Sequence, residues 1–172
     1  MRRLWAGETV SHEGRWTIAN AHIAPTPPEP IEVWIAAEAE PAIARAARLG
    51  DGWIAAPSLT PARAKADLAH YLVCCEQSQR APGARVIRRD IFVGANAAEA
   101  ASIGGPVVAA GYRGFAPEAT IIGDVAAVAD AFLTLGQMGF THILVRNLVS
   151  TQVHALATIE RLARVKALVN SR

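Results

Sequence analysis

Between Ile31 and Trp53 the chain reads IEVWIAAEAEPAIARAARLGDGW, and this stretch limits the possible folds more than any other. An apolar run from Ile31 to Ala37 halts at Glu38-Ala39-Glu40-Pro41. An alanine-rich helical segment follows and stops at Gly50, and a second apolar run opens at Asp51-Gly52-Trp53-Ile54. Strand, helix and strand in such close succession predict a parallel βαβ unit. Its first turn joins a strand's C-terminal end to a helix's N-terminal end. That is where α/β folds hold ligands, phosphates above all.

The same rhythm runs to the end of the chain. The helix after the turn, about Ala39 to Leu49, is expected to place Ala42, Ala46 and Leu49 on one face. Trp53 to Ala56 is the next strand. Thr60-Pro61 starts a helix to about Gln79, with Leu68, Leu72 and Cys75 inward. Val86 to Val93 is a third strand. Asn96 caps a helix that should break or kink at Gly104-Gly105-Pro106. A loop from Tyr112 to Ala119 and a short extended piece, Thr120 to Gly123, lead to Asp124. That residue caps a helix with Val125, Val128, Phe132 and Leu135 as its apolar stripe, and Gly139 ends it. Thr141 to Arg146 is a fourth strand, and a long helix closes the chain, about Thr151 to Asn170. Core strands separated each time by helices make a parallel sheet and an α/β class.

The first thirty residues read differently. Met1 to Trp5 resembles the last turn of a helix, and Gly7 to Asn20 a small excursion of hairpin type. Pro25, Pro27, Pro28 and Pro30 then hold the chain extended, because proline fixes φ and biases its predecessor away from the helix. The 172 residues are expected to form one domain, residues 1–30 leading into the βα units of 31–172.

Several functions are disfavoured. The net charge is only +2, and the basic residues form no stripe interleaved with aromatics, so nucleic acid is a poor partner. No apolar run reaches the roughly 18 residues of a membrane span, and the N-terminus has no apolar stretch of signal-peptide length. A cytoplasmic protein is expected. Cys74 and Cys75 are adjacent on a predicted helix, which reads as two thiols in a reducing compartment. His70 stands at helical spacing from them, but no fourth ligand is indicated, and no metal site is expected. Gly104-Gly105 lies in neither GxGxxG nor GxxxxGK[ST].

Three blocks together resemble the bacterial luciferase-like monooxygenase superfamily: LWAGETVSHEGRW, PPEPIEVWIAAEAEPAIARAARLGDGW and IIGDVAAVADAFLTLGQMGFTHILVR. Their order and spacing carry the likeness over nearly the whole chain. It implies a TIM-type (β/α)8 barrel and an oxidoreductase that uses FMN or the deazaflavin coenzyme F-420 on a small organic substrate. YRGF and THILVR look more like the deazaflavin members, which would make the reaction a hydride transfer. The blocks match only the C-terminal half of that barrel, from the end of the fourth helix through the fifth to eighth βα units. A complete barrel takes about 250 residues. The family usually carries its catalytic side chains on the first four strands, so no catalytic residue is assigned. A half barrel has open edge strands. A second copy could close it as a homodimer, or a separately encoded N-terminal half could complete it. Or the chain is a truncated, non-catalytic fragment.

The resemblance places the cofactor phosphate at Ala36, Ala37, Glu38 and Ala39, where small residues let a phosphate approach the main chain and the helix dipole favours its charge. Glu38 works against this, and an ordinary tight turn is the competing account. Arg146, at the end of the last strand, is a candidate contact for an anionic group of substrate or cofactor, and Arg113 a weaker one; a rim salt bridge is the alternative for Arg146. Asp51-Gly52-Trp53 is a family hallmark of structural character: Asp51 can bond amides, Gly52 permits close approach, and Trp53 packs inward. His12 lies in the excursion, near the implied substrate mouth, and His142 has no obvious partner.

Overall fold

The computed structural model describes residues 1–172, which fall into two compact units, Met1–Val33 and Trp34–Arg172. The first holds a short helix α1 (Arg2–Trp5) and an antiparallel hairpin of β1 (Val10–His12) and β2 (Ile18–Ala21). The hairpin pairs Val10 with Ala21 and His12 with Ile18. The Ser11 hydroxyl accepts the Asn20 N–H at 3.0 Å and so helps hold the register.

The second unit runs β3 (Trp34–Ala36), α2 (Glu40–Leu49), β4 (Gly52–Ala55), α3 (Pro61–Gln77), β5 (Ala84–Val93), α4 (Ala97–Ala109), β6 (Thr120–Gly123), α5 (Val125–Met138), β7 (His142–Asn147) and α6 (Gln152–Asn170). The capping expectations are met. Thr60 accepts the Arg63 N–H, Asn96 the Glu99 N–H and Asp124 the Ala127 N–H. Gly139 ends α5 at φ 114°, in the left-handed region where only glycine is at ease.

All sheet pairings in this unit are parallel, and β5 organises them. It pairs with β4 from Gly52↔Ala84 to Ala55↔Ile87, and with β6 from Asp90↔Thr120 to Val93↔Gly123. It also pairs with β7 from Val86↔His142 to Ile91↔Asn147. The β7 range overlaps both others, so β4 and β6 must share the opposite edge of β5, one after the other. The sheet therefore has five strands and not four: Thr120–Gly123 is a ladder strand.

Other expectations need correction. The first core strand is shorter than Ile31–Ala37: it pairs with β4 only from Trp34 to Ala36. Helix α4 does not break at Gly104-Gly105-Pro106 but continues to Ala109. Gly104 is the reason packing can hold it there: a Cβ at this position would lie 2.9 Å from Ile122 Cγ2, so the helix sits close on β6. The buried face of α2 is Ile43, Ala46 and Ala47, and Leu49 is exposed. In α3 Leu68 and Cys75 are buried as expected, but Leu72 is exposed and Tyr71 takes the inward position.

Helices α2, α3, α5 and α6 lie against one face of the sheet, while α4 packs on Ile122, which the register sets beside Phe92 on the other. Trp53 is the largest fully buried side chain on the first face, stacked at 5.3 Å on Tyr71 and 6.2 Å on Phe140. A second cluster joins Ile91 and Val93 of β5 to Val128 and Ala129 of α5 and Val165 of α6. Alternation along β5 then sends Val86, Arg88, Asp90 and Phe92 to the opposite face.

Candidate active-site face

Side chains that alternate away from the helices define this second face: Trp34 and Ala36 on β3, Ile54 on β4, Arg88 and Asp90 on β5, and His142, Leu144 and Arg146 on β7. Register sets Arg88 beside Leu144 and Asp90 beside Arg146. At the start of the strands the Trp34 and His142 rings meet at 5.1 Å. Gly52 leaves room for this, since a Cβ on it would lie 2.8 Å from Trp34 Cδ1. His142 thus has partners after all: the Trp34 ring, and the Thr141 hydroxyl 2.9 Å from its Nδ1.

At the C-terminal ends of β3 and β4 a cleft of about 390 Å³ opens, lined by Ala36, Ala37, Glu38, Ile54 to Pro57, Arg88 and Leu144. The turn on its rim is fixed from two sides. The Ala37 N–H donates to Ile54 O at 3.2 Å, and Ala37 O accepts the Trp53 indole N–H at 2.9 Å. Trp53 is buried in the helix layer, as expected of it, and its hydrogen bond makes it the support of this turn. Helix α2 starts from Ala39, which has no side chain to cap it, and Glu40 supplies a carboxylate in the first turn.

Beside the cleft lies a polar cluster that the motif search missed. The Arg88 guanidinium donates to both carboxylate oxygens of Asp90, at 3.0 and 3.2 Å, and the Tyr112 hydroxyl donates to Asp90 Oδ2 at 2.8 Å. Asp90 is 1% exposed. Opposite charges at i and i+2 in the strand, Arg88 and Asp90, were the available clue. They had to lie on one face, and a buried carboxylate needs a partner. Arg146 and Arg113 stand close enough to Tyr112 for their charges to act on its hydroxyl. Arg113 is held at φ 49° with its guanidinium over the Phe115 ring at 5.6 Å. The alanine turn lines the cleft with Arg88, while Arg146 and Arg113 gather around Tyr112.

The remaining candidates are scattered. His12 is exposed on β1 of the first unit. His70 Nε2 lies 3.6 Å from Cys74 Sγ, and no group of three or more metal-ligating side chains occurs. Asp51 accepts the Ala84 N–H at 3.1 Å through its main-chain carbonyl, and its carboxylate lies 4.0 Å from the Arg80 guanidinium.

The two tyrosines of the chain give a direct test of this packing. Burial pushes the Tyr71 phenol up from 10.0 to about 12, and the hydrogen bond and charge of Cys75 add to it. Burial also raises Tyr112, helped by the Asp90 hydrogen bond and charge and opposed by Arg146 and Arg113. A raised acid favours the folded, protonated form. Its contribution is complete below the unfolded value near 10 and is lost as pH rises through the folded value. At pH 10 the native chain should therefore show well under half of its full phenolate absorbance, and the urea-unfolded chain about half. Coincident curves would mean both rings are solvated.

A family model described as luciferase-like monooxygenase matches residues 1–129. The chain belongs to this family. No curated protein matches it. Among solved structures it is similar to an F-420-dependent secondary alcohol dehydrogenase in complex with an F-420–acetone adduct (TM-score 0.72, 14% identity, 95% of this chain and 58% of that one). It is also similar to the oxygenating constituent of 3,6-diketocamphane monooxygenase from Pseudomonas putida in complex with FMN (0.74, 14%, 98% and 60%). A third is the monooxygenase RslO1 from Streptomyces bottropensis (0.73, 21%, 94% and 56%). These likenesses establish the fold: the parallel βα units are a segment of a TIM-type barrel, as the luciferase-like resemblance implied. The chain spans 56–60% of the length of these three structures. No helix is long and apolar enough to cross a membrane.

Proposed function

We propose that this chain supplies the phosphate-binding turn and part of the substrate wall of a flavin- or deazaflavin-dependent oxidoreductase acting on a small organic molecule. One observation carries the reading. Ala36, Ala37 and Glu38 of the turn line a cleft at the C-terminal ends of parallel strands, the face on which barrel enzymes hold their ligands.

The residues present suit the phosphate of FMN or F-420. Ala36 and Ala37 leave the main chain open to close approach, and an uncapped helix start presents its dipole. Arg88 lines the same cleft with its guanidinium paired to Asp90. Glu38 is the one unfavourable group. The bound cofactor supplies hydride transfer or oxygen activation. The chain's own residues hold its anionic end, and Arg146 and Arg113 orient an anionic or carbonyl-bearing substrate near the Tyr112 hydroxyl.

Titrating the purified chain with FMN and with F-420, followed by cofactor fluorescence, tests this. Saturable quenching by one of them is expected. Ala37→Leu should weaken it at least tenfold by blocking the approach. Glu38→Gln should strengthen it about fivefold, since one like charge at contact distance in water is worth about 1 kcal/mol. No fluorescence change with either cofactor would sink the reading.

A second reading, assembly, has its own support. Helix α6 exposes Val153, Leu156 and Ile159 on one side, and β3 and β7 lie at the ends of the strand order. On this reading a second copy or an N-terminal half barrel covers them, whether or not the chain is catalytic. The native mass in solution distinguishes monomer, dimer and heteromer.

A further inference from the structure

A second groove lies on the other side of the sheet. It measures about 320 Å³, near the lower end of the roughly 300–1,000 Å³ usual for small-molecule sites. Its walls come from Pro61 at the start of α3, from Ile121 and Ile122 of β6, and from α5. On α5 the lining residues Ala127, Ala131 and Leu135 recur every four residues and form one continuous strip. Every lining residue belongs to the second unit.

Into this mostly apolar lining comes one buried cation. Arg89 alternates away from Arg88 and Asp90 and is 1% exposed. Its Nη1 donates to Pro57 O and to Arg88 O, at 3.3 Å each. Its Nη2 is buried and has no partner. A buried donor left unmet on a charged group is costly, so an acceptor arriving there recovers a penalty the fold already bears. Burial brings the guanidinium down to about 10, which leaves it cationic at neutral pH.

We propose that this groove binds a small monocarboxylate with an apolar tail, its carboxylate on Arg89 and its tail along Ala127, Ala131 and Leu135. A carboxylate is the acceptor that best matches a guanidinium's paired N–H groups. Glu118 on the same lining disfavours a dianion such as phosphate. Met138, half-buried and unbranched, is the wall that yields to admit the head group. This site stands apart from the proposed cofactor cleft, on the opposite face of β5.

Calorimetric titration of the purified chain with sodium octanoate, and with octanol as the uncharged control, tests the proposal. Octanoate should bind saturably, one per chain, at least tenfold more tightly than octanol. Arg89→Met should remove that preference. Ala131→Leu, which fills the groove and leaves Arg89 in place, should abolish binding of both. Should Arg89→Met fail to fold, methyl NMR of the parent chain and of Ala131→Leu decides. Octanoate must shift Ile121, Ile122 and Met138 in the first and not in the second. No heat with octanoate, equal affinity for the two probes, or shifts confined to other methyls would each overturn the proposal. None of these readouts depends on whether the cleft binds a flavin.

Discussion

Trp53→Ala is expected to remove a third or more of the chain's stability. The ring is fully buried between Tyr71 and Phe140. Truncating a buried tryptophan costs about 3–5 kcal/mol in lost contacts and residual cavity. The change also strands Ala37 O, which accepts the indole N–H. Domains of this kind have about 5–15 kcal/mol in total. With a urea slope of about 2 kcal/mol per molar, the midpoint by circular dichroism should fall by about 2 M. Trp53→Phe separates the two contributions: it keeps most of the packing, loses the N–H, and should cost less than half as much. If Trp53→Ala moved the midpoint by only a few tenths of a molar, the ring could not be the centre of this core. The prediction bears on function as well, because the hydrogen bond from Trp53 is one of two that fix the alanine turn. On the proposed function, affinity for FMN or F-420 should fall in Trp53→Phe even where the fold survives.

The second large effect is expected at Asp90. Its carboxylate receives Arg88 and the Tyr112 hydroxyl, and it is almost wholly enclosed. Breaking a buried pair by removing one partner costs about 3–5 kcal/mol. Arg88 can turn toward the cleft, so Asp90→Ala should lie near the lower bound, about 3 kcal/mol in urea unfolding. Asp90→Asn keeps the shape and one acceptor and should cost clearly less. A spectroscopic signature accompanies the loss. Two of the three influences that raise the Tyr112 phenol come from Asp90, so that tyrosine should ionise at lower pH in either variant, while Tyr71 stays high. An unchanged alkaline titration would place Tyr112 away from Asp90.

These residues show what the sequence made legible and what it hid. Caps and helix ends were legible because Thr60-Pro61, Asn96, Asp124 and Gly139 each act within one turn of their own position. The inward role of Trp53 followed from its place at a strand start. The fifth ladder strand was hidden because Thr120–Gly123 pairs with residues some thirty positions earlier, at the far end of β5. Four residues carry too little period of their own to announce that. The continuity of α4 was hidden for a related reason: Gly104 reads locally as a breaker, and only its contact with Ile122 shows it as a spacer. The alanine turn was visible as a candidate from its position alone. The Arg88–Asp90–Tyr112 cluster was half visible, as paired charges in a strand, but the tyrosine joins it from a turn beyond the next helix.

The shared edge of β5 has a consequence for how this protein can change. Since β6 sits beyond the end of β4, the chain from Gly94 to Gly123 is a lateral graft on a strand already paired along its other side by β7. Its length and composition can drift without moving the register of the strands beneath it. It carries Tyr112 and Arg113, which the proposed function sets beside the substrate, so on that reading new specificity can be acquired there by exchanging a surface module over an unaltered ladder.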